Sequence, residues 1–222
     1  MQPLIAPFNH ISYQMRNAKV NSWPFSHFFI ENVFPDYFYK KFLETLPTDL
    51  EYKTGDNNYH GRRFADPNKN HMLEFMKTKE FLKLTLECFR PEYQTRFGGK
   101  SASFSRDLRL VRDGQGYEIG PHTDAAWKVI SLLFYLPEDY ALERLGTSLY
   151  IPKDPKFTCA GGPHHEFHYF DAVYTAPFVP NSCLGFWKTN TSFHGVEPIT
   201  IPCSRNVLLY NVYEAPPAKE PP

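Results

Sequence analysis

After Lys100 the chain carries a succession of short runs rich in β-branched and aromatic residues: LRLV (108–111), VISLLFYL (129–136), SLYI (148–151), CLGFW (183–187) and NVLLYNVY (206–213). Gly, Pro, Asn and Asp separate them, and each is the length of one strand. Such side chains suit a pleated, half-buried surface, and strands this short must pair with one another to bury it. Residues 100–214 therefore predict an antiparallel β unit, a two-sheet sandwich or barrel. The 20 Phe, 14 Tyr and 20 Pro favour many short strands and turns over a helical bundle.

The first 99 residues read as mainly helical support. WPFSHFFIENVF (23–34) is a short extended piece. Asp36 is placed as the N-cap of a helix with Phe34, Phe38, Phe42 and Leu46 on one face, stopped by Pro47. Residues 48–70 read as a polar loop. A second helical pattern from His71 carries Leu73, Met76, Leu82, Leu86 and Phe89, and Pro91 kinks or ends it before Gly98 and Gly99. The tail 215–222, APPAKEPP, has no core-forming residues and reads as extended or disordered. At 222 residues the chain suits a single domain, mainly β with flanking helices.

Charge excludes little but points away from nucleic acid: 24 Lys plus Arg balance 24 Asp plus Glu. Four widely spaced cysteines, Cys88, Cys159, Cys183 and Cys203, form no CxxC pair and follow no secretory leader, so reduced thiols in a soluble cytoplasmic protein are expected. No apolar stretch approaches the length that spans a bilayer. A small molecule or a peptide or protein segment is the expected partner, with no nucleic acid and no membrane.

In GPHTDAAWKVISLLFYLPED (120–139), His122 and Asp124 stand two apart, a spacing that puts both side chains on one face of a strand. A bare HxD is most often a histidine hydrogen-bonded to an aspartate. Its weight comes from LGFWKTNTSFHGVEPITIPCSRNVLLYNVY (184–213), where His194 follows one strand and Arg205 opens the next. Two histidines and a carboxylate on one face of an iron ion leave coordination positions open for a cosubstrate and oxygen. An arginine fork holds a carboxylate through two parallel hydrogen bonds.

His122, Asp124, the distal His194 and Arg205 eleven residues later resemble the iron(II)- and 2-oxoglutarate-dependent oxygenases, particularly their prolyl 4-hydroxylase-like branch. LLFYLPED and ERLGTSLYIP are similar to that branch's Tyr-Leu-Asn and Gly-Gly-x-Leu strands, so the resemblance covers roughly residues 105–214. It implies a double-stranded β-helix, or jelly roll, backed by the N-terminal helices. It also implies Fe(II), 2-oxoglutarate and O2 as reactants, with ascorbate as reductant, and release of succinate and CO2. His122, Asp124 and His194 become the metal ligands, and Arg205 and Tyr135 the partners of the distal carboxylate of 2-oxoglutarate. Leu133 with Tyr135, and Arg205 with Val207 and Leu209, share faces on their strands, which suits an inward Arg and Tyr.

There are departures from the pattern. Val207 stands where many relatives have Ser or Thr, Thr147 replaces a glycine after Gly146, and Arg112 occupies the place of a common tyrosine. Arg112 is thereby a candidate for cosubstrate or substrate, with a surface arginine as the equal alternative. Because Asp124 is a carboxylate, it leaves no vacancy for halide, and hydroxylation is expected over halogenation. Tyr117, Trp127, Lys128, Arg62 (with Arg63) and Asn190 are candidates for the substrate mouth, each with a packing or solvated alternative. His164, His165 and His168 in GGPHHEFHYFD read as solvated loop histidines or part of a lid rather than a second metal site.

The expected activity is hydroxylation of an aliphatic carbon in a peptidyl residue (prolyl favoured), an amino acid or a small metabolite. Two alternatives stay open: a cupin-like metal dioxygenase or lyase that does not use 2-oxoglutarate, and a non-catalytic jelly-roll binding domain.

Overall fold

A computed structural model describes residues 5–55, 60–98 and 102–215. The tail expected to be extended lies, apart from Ala215, outside the described residues, as does Gly99. The N-terminal part holds α1 (Ile5–Arg16), β1 (His27–Glu31), α2 (Asp36–Glu44), β2 (Lys53–Thr54), β3 (Arg62–Ala65), α3 (Lys79–Cys88) and α4 (Arg90–Phe97). The C-terminal part is strand apart from one short 3-10 turn (Phe167–Tyr169): β4 (Phe104–Asp113), β5 (Ile119–His122), β6 (Lys128–Tyr135), β7 (Thr147–Pro152), β8 (Phe170–Ala176), β9 (Ser182–Trp187), β10 (His194–Val196) and β11 (Arg205–Glu214).

The strands form two antiparallel sheets. The major sheet runs β1-β9-β6-β11-β4-β3-β2 and the minor sheet β5-β10-β7-β8. Parity divides the major sheet's side chains cleanly. Ile130, Leu132 and Phe134 of β6 and Leu208, Tyr210 and Val212 of β11 face the helices, whereas Leu133, Tyr135, Leu184, Phe186 and Val207 form a separate core between the sheets. Aromatic contacts dock the helices: Phe34 stacks on Phe134 at 5.5 Å, Phe89 on Phe28 at 5.5 Å, and Phe81 meets Tyr210 edge-on at 4.9 Å.

Four expectations about local structure change. Asp36 is the first residue of α2 rather than its cap, a position held by Pro35, and its charge still suits the positive end of the helix. The helical pattern does end before Pro91, α3 stopping at Cys88, but Pro91 also opens a further helix: it sits in the first turn of α4, where its missing N–H leaves no hydrogen bond unmade. The polar loop at 48–70 contains β2 and β3, which extend the major sheet beyond β4. Finally, Phe170–Ala176 is an edge strand of the minor sheet, its apolar content too low to mark it in the sequence.

β10 is gripped on both sides, by β5 and β7. Gly195 makes that possible, because a Cβ there would stand 2.4 Å from the Ile119 carbonyl oxygen.

Candidate active site

His122 and His194 are register partners on β5 and β10, so their imidazoles project side by side, with ring centroids 4.3 Å apart. Asp124 lies just past the end of β5 rather than on it. It reaches the same point because β6 holds it: Lys128 Nζ donates to Oδ1 at 2.8 Å and Ser131 Oγ to Oδ2 at 2.9 Å. One ligand atom from each of His122, Asp124 and His194 lies within 4.8 Å of the others.

The protonation states suit a cation. Nδ1 of His122 lies 3.0 Å from the Gly120 carbonyl and Nδ1 of His194 3.0 Å from the Ser192 carbonyl. A carbonyl only accepts, so Nδ1 carries the proton and each Nε2 presents its lone pair to the centre. Burial holds both imidazoles below their ordinary range, with His194 adding to the effect on His122 and Asp124 opposing it at both. Burial would raise the Asp124 carboxyl, but Lys128 and the two histidines outweigh it and keep the group ionised. Two neutral imidazoles and a carboxylate, buried on one face, are the donor set for a non-haem iron.

A second polar group sits in the same cavity of about 180 Å³. Arg62, Asp113 and Arg205 are cross-strand partners on β3, β4 and β11, a row of alternating charge inside the sandwich. Arg62 forks onto Asp113 at 2.6 and 2.9 Å, and Arg205 Nη1 donates to Asp113 Oδ2 at 2.6 Å. Arg205 also donates from Nε to the Leu145 carbonyl at 2.6 Å and from Nη2 to Thr147 Oγ1 at 3.3 Å. One N–H on each terminal nitrogen of Arg205 remains beyond these bonds, a pair of donors that suits a carboxylate.

Tyr135 is fully buried beneath this group: its hydroxyl accepts the Thr147 N–H at 3.1 Å, and its ring centroid lies 5.6 Å from the Arg205 guanidinium. His194 and Arg205, expected on adjacent strands, come instead from opposite sheets and face each other across the cavity.

Of the substrate-mouth candidates, Tyr117, Lys128 and Arg62 line the cavity, with Arg62 4.3 Å above the Tyr117 ring. Trp127 is 63% exposed and Asn190 is also exposed, its side chain accepting from Lys188; neither lines the cavity. Arg112 is a correction. Even parity turns it to the other face of β4, where it stacks at 4.0 Å on Tyr52 and bonds Asn206 and Asp49. Arg63 shares that face and also binds Asp49.

In the loop before β8, His165 packs among Phe157, Phe170 and Phe193, and His168 pairs with Glu166. His164 stands apart from them, 4.7 Å from the His122 ring. Among the described residues, the one metal-competent cluster is His122, Asp124 and His194.

Sequence reasoning missed Asp113, Ser131 and Asn211. Parity could have found two of them: Asp113 shares a face with Val111 on β4, and Asn211 shares one with Arg205 on β11.

No family model matches the chain, and no curated protein matches it in sequence. Solved structures do match in three dimensions. A prolyl 4-hydroxylase of Pseudomonas putida aligns with TM-score 0.57 at 13% identity, over 93% of this chain and 98% of that one. A 2OG-Fe(II) oxygenase-family oxidoreductase of Burkholderia pseudomallei aligns with TM-score 0.50 at 13% identity, over 91% and 88%. The epimerase SnoN, solved with Fe3+, α-ketoglutarate and nogalamycin RO, aligns with TM-score 0.54 at 11% identity, over 93% and 83%. The chain therefore has the double-stranded β-helix fold of the 2-oxoglutarate and iron(II) oxygenases.

Proposed function

We propose that this protein is an iron(II)- and 2-oxoglutarate-dependent oxygenase that hydroxylates an aliphatic carbon of a peptidyl residue, prolyl favoured, of an amino acid or of a small metabolite. The observation that carries the reading is the sharing of one cavity by a His-Asp-His face and the buried Arg205 fork, which keeps one N–H on each terminal nitrogen beyond its bonds to Asp113 and Thr147. A metal site alone would fit a cupin-like dioxygenase or lyase equally well; such an enzyme has no need of the buried carboxylate clamp.

In this reading His122, Asp124 and His194 hold the iron, while Lys128 and Ser131 fix the Asp124 carboxylate. Arg205 takes the distal carboxylate of 2-oxoglutarate, with the Thr147 hydroxyl beside it in the absence of a hydroxyl at Val207. Asp113 and Arg62 hold the Arg205 fork in place. Leu133, Phe186, Val207 and Leu209 wall the cavity with apolar surface and limit water. Bound iron and 2-oxoglutarate would let O2 act as the oxidant, one oxygen atom going to succinate and the other to the substrate, with CO2 released.

The test is an anaerobic titration with Fe(II) and then 2-oxoglutarate, following the visible charge-transfer absorption that a chelated keto acid produces. The band is expected in the wild type and weaker in Arg205→Ala. Iron binding with no band would exclude 2-oxoglutarate and favour the cupin-like chemistry.

A further inference from the structure

One cross-strand row of the major sheet runs beneath the metal ligands: Asp107, Asn211, Ser131 and Phe186 on β4, β11, β6 and β9. Two members already serve the centre. Ser131 holds the Asp124 carboxylate, and the Phe186 ring lies 4.4 Å from that of His194. Asn211, the register partner of Ser131, is 3% exposed and lines the cavity, yet its amide makes no hydrogen bond to any described residue. The amide opens onto the cavity, where it offers a polar ligand hydrogen bonds that a leucine of similar size could not.

The position says which ligand. Arg205, Val207, Leu209, Asn211 and Tyr213 all line the cavity from one face of β11. Arg205 and Asn211 are three same-face steps apart, roughly 20 Å between Cα atoms, a span the two side chains and a short dicarboxylate fill together. One step further on, the half-buried Tyr213 pairs with Lys128. Asn211 is thus level with the metal ligands, opposite the end of the cavity that Arg205 occupies.

We propose that the Asn211 side-chain amide donates a hydrogen bond to the keto-acid head of the cosubstrate, the end that meets the metal. This rests on the 2-oxoglutarate reading above. It makes Asn211 a cosubstrate-binding residue contributed by β11 at the opposite end from Arg205, and Ser131 the link that sets its depth relative to Asp124.

Asn211→Leu tests it with three readouts. The metal-free variant should melt within about 2 °C of the wild type, because the amide opens onto the cavity and bonds no described side chain. Its Mn(II)-loaded form should bind 2-oxoglutarate about tenfold or more weakly by calorimetry, as expected for loss of a hydrogen bond to a charged group. Its anaerobic Fe(II) complex should show a displaced charge-transfer band. If the variant does not fold, Asn211→Ala carries the same affinity and band comparison.

A melting point lower by more than about 2 °C for the leucine variant would mean the amide has a structural partner and would overturn the proposal. Unchanged affinity and an unchanged band would overturn it too, leaving the amide to face the substrate. Absence of the band in the wild type would instead defeat the 2-oxoglutarate reading, and this inference with it.

Discussion

Asp113 is the residue whose replacement should be most informative about the buried charge row. Its side chain is 0% exposed, that of Arg205 1% and that of Arg62 13%, and it accepts three hydrogen bonds from the two guanidinium groups. Asp113→Asn keeps the volume and removes the charge, so two like charges face each other in the sandwich with nothing between them. Breaking a buried ion pair on one side costs about 3–5 kcal/mol. For a domain of this size that corresponds to a fall of roughly 6–20 °C in melting temperature. The assay is thermal denaturation of the metal-free protein followed by circular dichroism, at low and at physiological salt; burial predicts that salt changes the difference little. Arg205→Met should cost less than Asp113→Asn, since it turns a row of two positive charges and one negative into a balanced pair. A shift under about 2 °C for Asp113→Asn, or a larger loss for Arg205→Met, would refute the argument that Asp113 holds the row together.

The remaining predictions concern the metal site and its neighbours. Because both ligand histidines are held below their ordinary value of about 6.5, the unfolded chain binds more protons than the folded one as pH falls. The stability of the metal-free protein is therefore full above that value and drops below it, a drop that denaturation at pH 7.5 and 5.5 should show and that a His122→Gln, His194→Gln double variant should reduce. Asp124→Ala should abolish stoichiometric iron binding, read by metal analysis after desalting. Arg112→Ala should leave 2-oxoglutarate affinity within about twofold of the wild type, since that side chain lies on the opposite face of β4, whereas Arg205→Ala should raise the cosubstrate requirement. Gly195→Ala should force β10 away from β5 and weaken metal binding measured by calorimetry.

What the sequence revealed and what it hid follow from how each signal is made. His122 and Arg205 stand beside or within apolar runs, and alternation along their strands sets which way each points; Asp124, past the end of β5, is aimed instead by Lys128 and Ser131. Parity turns Asp113 inward, but its role is legible only once β3, β4 and β11 are known to be adjacent, because Arg62 and Arg205 come from strands distant in sequence; Ser131 is legible only once the chain after β5 is known to fold back onto β6. β3 was hidden for a related reason. Its four residues, RRFA, carry two arginines that read as solvent-exposed, when Arg62 is in fact neutralised by a carboxylate 51 positions away. Arg112 shows the limit of matching by position: it fell where related chains place a functional tyrosine, yet parity sends it to the other face of β4.

The order of strands also bears on how the molecule is made. β11, the last strand in the chain, is the middle strand of the major sheet, with β6 and β9 on one side and β4 and β3 on the other. A chain growing from its N-terminus therefore has both flanks before it has the piece that joins them, and until residues 205–214 leave the ribosome β4 and β6 each present an open hydrogen-bonding edge. The same strand delivers Arg205 and Asn211, so no partly synthesised chain can assemble the cavity. Nascent intermediates of this protein should depend on chaperone protection until β11 emerges, and a truncation that removes part of β11 should yield aggregate instead of a weakened enzyme.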